Sequence, residues 1–414
     1  MLKIRNRLTA VLAAATVLLM QATPLQAGTT YAPVAGEQTQ FDKYLVMKEG
    51  ANVPNVGFAF SIAKGTAVPY SDGHSEILEG VGTPTISWDD SNTDSIADFK
   101  AGDATISASA ADRPSTDYVK NLGSGEKYAK HTATVDFTGV SFPEPGIYRY
   151  VITETASTAP GITNDSDLTR TLDVYVLDDS TETAKKLKVD KYILHAGDVE
   201  VPADKDAGTE ASDYKSQGFT NKYETYDLTF SKTVTGNKGS KDKYFKFTLN
   251  VEGAVPGTKY DLSYADDGNS ATTDGNADSV SGNNTATKSD YRNRNQPTSP
   301  LLVGSDGKVS ATFYLQHGQK IAVRGIAPKT KYSIEEDKEN YSPSATADEG
   351  TISESKDKVT VAEASKDNVA AFTNNNEGTP ATGVVLAVLP FAAVIGIGCA
   401  AVLASGRRRR DDED

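Results

Sequence analysis

The chain has 414 residues, of which 24% are charged, and its formal net charge is −14 at neutral pH. A chain this acidic is not expected to bind nucleic acid or an anionic membrane surface, so we predict no nucleic-acid partner. The length is too great for one typical sandwich domain and fits two or three domains. The single cysteine, Cys399, lies in an apolar tail, so the part of the chain before this tail contains no disulfide.

The first 27 residues have the features of a secretory signal peptide. Lys3, Arg5 and Arg7 precede an apolar stretch over residues 8–20, and cleavage is expected after the small residue Ala27. Without this segment and the tail from residue 383, the net charge becomes (42−7)−(56−4) = −17. We therefore predict an exported, acidic protein whose folded part begins near residue 28.

Short alternating segments fill the exported part and are separated by turn residues, whereas long helical periodicity is absent. This pattern is typical of an all-β protein of the sandwich type. A first series of strands is predicted at 40–47, 58–62, 132–137, 147–154, 171–177, 188–194 and 218–223. A second series is predicted at 227–234, 244–251, 308–315, 320–323, 331–336, 351–353 and 369–374, with a long surface loop over 263–300.

The two series repeat one order of short motifs. Each begins with a strand that carries a lysine, each contains a Tyr-x-Ile-x-Glu segment, and each ends with Phe-Thr-Asn. The separations between the lysine and the glutamate are similar, 154−43 = 111 and 336−232 = 104. A divergent tandem repeat explains this order and predicts two domains, 28–224 and 225–376, with a very short connection.

Six polar residues lie at positions that face the predicted cores. Alternate residues of a strand share a face, and Lys43 shares its face with Phe41 and Leu45. The same argument turns Glu336 inward and the adjacent Glu335 outward. The inward-facing polar residues are Lys43, Glu154 and Asn221 in the first domain, and Lys232, Glu336 and Asn374 in the second.

A lysine, a carboxyl group and an amide that are buried side by side can react with each other. Burial lowers the pKa of the lysine and makes its amine a nucleophile, while it raises the pKa of the carboxyl group. The protonated carboxyl group can then donate a hydrogen bond to the amide oxygen and transfer protons. Attack on the amide carbon releases ammonia and leaves a Lys–Asn isopeptide bond, and the fixed geometry supplies a high effective concentration.

These ordered motifs resemble the intramolecular isopeptide domains of Gram-positive pilins and surface adhesins, in particular the streptococcal type of major (backbone) pilin. The resemblance implies two immunoglobulin-like sandwiches of the collagen-adhesin B type. It pairs Lys43 with Asn221, assisted by Glu154, and Lys232 with Asn374, assisted by Glu336. It also implies a structural protein whose only chemistry is two reactions on itself.

Residues 377–414 resemble the sorting signal of Gram-positive cell-wall proteins. The segment Thr379-Pro380-Ala381-Thr382-Gly383 matches the family pattern Leu-Pro-x-Thr-Gly except at its first position. An apolar segment over 384–403 follows, long enough to cross a bilayer, and four arginines come after it. The resemblance implies that a sortase cleaves after Thr382 and transfers its carbonyl group to an amine. An ordinary single-pass anchor is the alternative.

For a backbone pilin, the resemblance implies a head-to-tail polymer in which Thr382 of one subunit is joined to a surface lysine of the next. Lys215 is the nearest candidate, and its exposure requires a bend near Gly218; Lys191 is the alternative. The implied partners are a sortase, identical subunits, minor tip and base pilins, peptidoglycan and a host surface. The implied location is the cell wall and a surface pilus, after transient anchoring in the membrane.

Two other functions remain open at this point. A monomeric wall-anchored adhesin would keep both isopeptide bonds but would lack a functional acceptor lysine. An exported wall or glycan hydrolase would need two carboxylates in one cleft, and no feature of the sequence selects such a pair. The sequence shows no phosphate-binding loop, nucleophile motif or group of metal ligands, so we predict no enzyme, no cofactor and no metal site.

Overall fold

The computed structural model of the protein describes residues 31–70, 75–89, 95–115, 117, 119, 122–181, 185–197, 215–265 and 297–378. Within these ranges, all regular secondary structure is β-strand. This confirms the prediction of an all-β protein. Within the same ranges, no helix has the length and hydropathy needed to cross a membrane. The predicted signal peptide, the sorting pentapeptide 379–383 and the apolar tail lie outside the described residues.

The first part of the described chain forms two large sheets and one small one. Its strands are β1 (Val34–Ala35), β2 (Gln38–Lys48), β3 (Val56–Lys64), β4 (Leu78–Glu79), β5 (Thr85–Trp88), β6 (Ile96–Phe99), β7 (Thr105–Ser107), β8 (Glu126–Asp136), β9 (Ser141–Phe142), β10 (Gly146–Glu154), β11 (Ile162–Thr163), β12 (Thr169–Asp178), β13 (Leu187–Ala196) and β14 (Gly218–Tyr223). One large sheet has the order β13-β12-β10-β3-β6, and the other has the order β11-β14-β2-β8-β5. Strands β4 and β7 add to these sheets, and β1 pairs with β9.

Aromatic side chains from both large sheets fill the space between them. The ring centroids of Phe60 and Phe219 are 5.1 Å apart, and those of Phe41 and Trp88 are 5.6 Å apart. These rings belong to one continuous buried cluster. Burial of such large apolar side chains is the main favourable contribution to folding of this part.

The second part of the described chain forms two further sheets. Its strands are β15 (Tyr226–Thr235), β16 (Phe245–Glu252), β17 (Lys259–Ala265), β18 (Leu301–Leu302), β19 (Val309–Leu315), β20 (Lys320–Ile326), β21 (Lys331–Glu336), β22 (Ser342–Ala347), β23 (Thr351–Ile352), β24 (Lys358–Val361) and β25 (Asn368–Asn375). The sheet orders are β18-β17-β20-β15-β25-β22 and β19-β16-β21-β24-β23. A second buried cluster, which includes Phe230, Phe247 and Phe372, lies between these sheets.

Both parts pair their first long strand with their last strand in parallel. In the first part, Lys43 of β2 lies opposite Phe219 of β14, two residues before Asn221. In the second part, Lys232 of β15 lies opposite Phe372 of β25, two residues before Asn374. The register is therefore the same in both parts, and it brings each lysine and its asparagine to one face of two adjacent strands.

The structure differs from the sequence prediction at two places. Strand β2 is buried on both faces, because Tyr44 and Val46 on its outer face pack in a small cluster with Val119 and Tyr128. Strand β17 continues to Ala265, so the predicted loop over 263–300 starts three residues too early. A strand pattern that continues into polar residues explains this error, since Ser263 is buried despite its hydroxyl group.

The two parts are in direct contact around the short connection between β14 and β15. The side-chain amide of Asn55 donates to the Pro256 carbonyl at 3.1 Å, and that of Asn52 donates to the Lys259 carbonyl at 3.3 Å. Lys48 forms an exposed ion pair with Asp367 at 3.2 Å. These polar contacts orient the parts, although a single exposed ion pair contributes little to stability.

Candidate functional site

Three polar side chains meet inside the first core. Strand β2 supplies Lys43, β14 supplies Asn221, and the facing sheet supplies Glu154 at the end of β10; each is at most 1% exposed. The Lys43 amine also lies 4.6 Å from the centroid of the Phe58 ring. The parallel pairing of β2 with β14 places the lysine beside the asparagine, and the packing of the two sheets brings in the carboxyl group.

The Glu154 carboxyl group contacts both partners. The Nζ atom of Lys43 lies 2.6 Å from Glu154 Oε2, and Asn221 Nδ2 donates to Glu154 Oε1 at 2.6 Å. Burial lowers the pKa of Lys43 to about 8, although the nearby Glu154 carboxylate acts in the opposite direction. A carboxyl group in this position can take a proton from the attacking amine and give one to the departing amide nitrogen.

The orientation of the amide differs from the sequence prediction. We expected the glutamate to contact the amide oxygen, but it contacts the amide nitrogen. The oxygen, Asn221 Oδ1, instead accepts a hydrogen bond of 2.8 Å from the backbone N–H of Asp165. Each polar atom of the Asn221 amide thus has its own partner.

The second core holds the same three residue types. Lys232, Glu336 and Asn374 come from β15, β21 and β25, and each is at most 2% exposed. Lys232 Nζ lies 2.5 Å from Glu336 Oε1, and Asn374 Nδ2 donates to the same oxygen at 2.8 Å. The neighbouring Glu335 faces outward and pairs with Lys358, as the alternation predicts.

The second cluster leaves more of its polar atoms without partners. The contact between Lys232 and Glu336 is short, but its angles fall outside hydrogen-bond geometry, and we regard it as an ion pair. Among the described residues, Glu336 Oε2 and Asn374 Oδ1 have no hydrogen-bond partner. Burial lowers the pKa of Lys232 to about 8 and raises the pKa of Glu336.

The two candidate acceptor lysines lie on the surface of the first part. Lys215 is exposed and precedes β14, which begins at Gly218, so strand alternation does not turn it inward. A Cβ atom on Gly218 would lie 1.7 Å from the Asp42 carbonyl oxygen, which explains why a glycine occupies this approach to β2. Lys191 is exposed on β13, with its amine 4.4 Å from the centroid of the Tyr175 ring.

A surface cavity of about 370 Å³ lies beside the first cluster. Lys215, Asp165 and Arg170 line it together with Asn221, whose side chain therefore lies close to the surface cavity although it is buried. Neither Asp165 nor Arg170 is predicted as a site residue from the sequence. Arg170 carried a signal, because it shares a strand face with Leu172 and Val174 and is buried like them.

Within the described part of the chain, no three His, Cys, Asp or Glu side chains are grouped so that they could hold a metal ion. The sortase-cleavage residues Thr379, Pro380, Ala381, Thr382 and Gly383 lie beyond the last described residue. The structure therefore places the six cross-linking candidates and both acceptor candidates, and it leaves the sorting motif as a sequence prediction.

Comparisons with known proteins match the two parts to separate families. Residues 226–376 match a domain of unknown function, DUF7601. No curated protein sequence matches the chain. The fold is similar to the crystal structure of the major pilin from Streptococcus pyogenes, with 19% identity, a TM-score of 0.46 and coverage of 83% of this chain and 100% of that chain. It is also similar to the major pilin T3.2 of Streptococcus pyogenes, with 20% identity, a TM-score of 0.46 and coverage of 83% and 99%.

The second family match covers residues 89–224, which contain Glu154 and Asn221 of the first cluster. The resemblance to isopeptide-containing pilins, predicted from the order of the lysine, glutamate and asparagine motifs, is thereby confirmed. Residues 89–224 match the model of the FctA family, described as the Spy0128-like isopeptide containing domain.

Proposed function

We propose that the protein is the structural backbone subunit of a pilus that a sortase polymerises covalently on the cell surface. In this proposal, 28–224 and 225–376 are two immunoglobulin-like sandwich domains of the collagen-adhesin B type, each cross-linked by one isopeptide bond. The observation that carries the proposal is the presence of two buried Lys–Glu–Asn clusters at the same strand register. The family match over residues 89–224 supports it.

The proposed reaction is the same in both clusters. The lysine Nζ attacks the amide carbon of the asparagine, the new C–N bond forms, and the bond to Nδ2 breaks. The glutamate carries a proton from the amine to Nδ2, which leaves as ammonia. Each reaction occurs once per molecule, so the protein has no turnover and needs no cofactor or metal.

The bonds would join the first long strand of each domain to its last strand. Lys43 would be joined to Asn221, and Lys232 to Asn374. Strand β14 ends at Tyr223 and β15 begins at Tyr226, so the two covalent bonds are separated by a short stretch of chain. With Lys215 and Thr382 as the linked residues, a pulling force would run along β14 and the short connection to Lys232 and cross the second bond to Asn374. The first bond would hold β14 against β2, and the force would bypass most of both sandwiches. A long fibre under shear requires this property.

Polymerisation requires an amine that a sortase can reach. Lys215 meets this requirement, because it is exposed, lies outside the regular strands and borders the 370 Å³ cavity. We propose Lys215 as the acceptor for Thr382 of the next subunit, and Lys191 as the alternative. The partners are then a sortase, identical subunits, minor tip and base pilins, and peptidoglycan, with a host surface as the target of the fibre.

Intact mass spectrometry of the full chain tests the cross-links. We expect a mass that is lower than the sequence mass by two molecules of ammonia. Lys43→Ala and Lys232→Ala should each restore one ammonia, and the double variant should restore both. An unshifted mass for the unmodified chain would mean that the buried polar residues only form hydrogen bonds, and the proposal would lose its main support.

Expression in a sortase-containing Gram-positive host tests the polymer. The unmodified chain should give a ladder of covalent multimers, and Lys215→Ala should remove it. Lys191→Ala tests the alternative acceptor, and Lys188→Ala, at another exposed lysine of β13, is the matched surface control. A ladder that persists in Lys215→Ala excludes this lysine. A wall-linked monomer without any ladder would favour a monomeric adhesin over a pilus backbone.

A further inference from the structure

The first cluster contains a hydrogen-bond donor that the lysine, glutamate and asparagine do not provide. The backbone N–H of Asp165 donates to Asn221 Oδ1 at 2.8 Å. We infer that this N–H acts as an oxyanion donor in the formation of the first isopeptide bond, and that the side chains of Asp165 and Arg170 hold it in position. The inference rests on the cross-linking function proposed above.

The chemistry of the attack gives this donor a defined role. When Lys43 Nζ bonds to the amide carbon of Asn221, the electron pair of the C=O bond moves to Oδ1. Glu154 takes the proton from Nζ and transfers it to Nδ2; the C=O bond re-forms as ammonia departs. In a buried site, the transient charge on Oδ1 is costly unless a donor already points at it. Fixed donors of this kind stabilise an oxyanion because they need no reorganisation during the reaction.

The side chain of Asp165 ties the donor to the strand that carries the amide. Its Oδ2 atom accepts from the backbone N–H of Thr220, the residue before Asn221, at 2.7 Å. Its Oδ1 atom accepts from the backbone N–H of Asp167 at 3.1 Å. The turn after β11 is thereby held against β14, and the Asp165 N–H keeps its direction toward Asn221.

Arg170 closes this arrangement from the other side. Its side chain is 8% exposed, and its Nη2 donates to Asp165 Oδ2 at 2.8 Å. Its Nε donates to the Gly218 carbonyl at 2.9 Å, and its guanidinium lies 4.4 Å from the centroid of the Phe219 ring. Arg170 therefore contacts both the turn that bears the donor and the strand that bears the amide. It touches no reacting atom, so its role is positioning.

The parallel pairing of the first and last strands does not by itself supply this donor. In the second part, the strand beside β25 is β22, and Pro343 lies opposite Asn374. Proline has no N–H, and Asn374 Oδ1 has no hydrogen-bond partner among the residues that the structure describes. The second cluster thus shows the same three reacting groups without the donor, and it serves as an internal reference in the same molecule.

The test measures separately the rate at which each isopeptide bond forms. The full chain is synthesised cell-free, samples are denatured in acid at set times, and peptide mapping assigns each ammonia loss to its part. Asp165→Pro removes the N–H itself, and Arg170→Gln removes the charged contact that positions it. Asp165→Asn keeps the N–H and a side-chain oxygen, and it is the matched control. Protease resistance of undenatured samples is recorded in parallel to follow folding.

We expect Asp165→Pro to slow the first bond by about 100- to 1,000-fold, the effect of removing one oxyanion donor. Arg170→Gln should slow it less, and Asp165→Asn should stay near the unmodified rate. The second bond should form at its usual rate in all three variants. A protease-resistant first part that is not yet cross-linked should accumulate, which a role in folding alone would not produce.

An unchanged first-bond rate in Arg170→Gln, together with an unchanged rate in Asp165→Pro, would overturn the inference. If Asp165→Pro does not fold, Asp165→Ala takes its place with Arg170→Gln, because it removes both side-chain ties and keeps the chain flexible. A first bond at the unmodified rate in this pair overturns the inference equally. Absence of the first bond in the unmodified chain would instead overturn the cross-linking function itself.

Discussion

The two clusters contain the same three residue types at the same strand register, yet their surroundings differ. In the first, Glu154 uses one oxygen for Lys43 and the other for Asn221. In the second, a single oxygen of Glu336 contacts both partners. Strand pairing therefore determines which groups meet, whereas loops and sheet packing determine how the charge of each group is balanced.

The different neighbours of the closing strand explain the contrast at the amide. In the first part, β11 is only two residues long, and the chain then turns so that Asp165 points its N–H at Asn221. In the second part, β22 is a six-residue strand that runs along β25. Its regular pairing leaves no free turn at Asn374. For the proposed reaction, a short strand followed by a turn thus supplies a donor that a long edge strand does not.

Loss of the carboxyl group is the change expected to separate the two parts most clearly. Glu154→Gln should abolish the first ammonia loss and preserve the second, and Glu336→Gln should do the reverse. Glutamine keeps the shape but cannot relay a proton, a function that contributes about 10²- to 10⁴-fold to a rate. Glu335→Gln is the control, because this exposed neighbour faces away from the cluster. Intact mass gives the result; loss of both bonds in either single variant would contradict independent reactions.

The cross-links should stabilise both parts to nearly the same extent, in spite of their different clusters. The closed loops span 221−43 = 178 and 374−232 = 142 residues. By the chain-entropy relation for disulfides, each bond adds about 5 kcal/mol to the free energy of unfolding, because the dependence on loop length is logarithmic. We therefore expect Asn221→Ala and Asn374→Ala to lose similar amounts.

Denaturant titration measures these losses. Trp88 is the single tryptophan of the chain and is buried in the first core, so its fluorescence follows the first part. Far-ultraviolet circular dichroism follows both parts. A loss that is several-fold larger in one part would show that native contacts, and not loop closure, dominate the effect of the bond.

The two parts should differ in the rate at which their isopeptide bonds form, although the bonds stabilise them to a similar extent. We expect the first bond to form up to about 100- to 1,000-fold faster than the second, since among the described residues only the first amide oxygen has a backbone donor. Acid-quenched time points of cell-free synthesis, mapped by part, give both rates. Because β15 is synthesised after β14, the reaction time of each part is counted from the synthesis of its own closing asparagine. Equal rates would mean that the donor has no kinetic effect.

The sequence carried enough information to predict the all-β class and the inward direction of all six cluster residues. Period-two alternation was sufficient, since each polar residue stood among large apolar neighbours, as Lys43 does between Phe41 and Leu45. The prediction of β14 and β21 matched the structure at both ends. Short strands such as β11 were missed because two residues show no periodicity.

The contacts around the amides were beyond reach of the sequence. The Asp165 donor is a backbone atom, and its direction depends on three hydrogen bonds of its own side chain, so no residue pattern reveals it. The burial of Arg170 was visible as alternation with Leu172, but its function depends on which turn it contacts. Tertiary contacts of loops, unlike strand faces, follow from no local rule.

Titration of the buried lysine gives the smallest expected effect and a check on the driving force. In the folded chain without the cross-link, burial lowers the pKa of Lys43 from an ordinary value of 10.5 to about 8. We expect the same in Asn221→Ala, which cannot form the bond but keeps Lys43 and Glu154. Between these values the unfolded chain binds the proton and the folded chain does not, so stability rises with pH in this window. The rise amounts to about 3 kcal/mol. Below about pH 8 the full penalty of burying the charge remains.

Denaturant titrations of Asn221→Ala at pH 8 and pH 10 should show about 2 kcal/mol of this rise, with Lys43→Met/Asn221→Ala as the control for all other titrating groups. The difference between the two variants isolates Lys43. The same experiment on Asn374→Ala should give a similar rise, because the pKa of Lys232 also lies at about 8. A flat difference would mean that the amine is already stabilised as an ion by its glutamate. A rise would show that burying the charged amine costs free energy, and that converting it into a neutral amide removes this cost. The gain would help to drive the proposed reaction in both parts, whatever the rate of each.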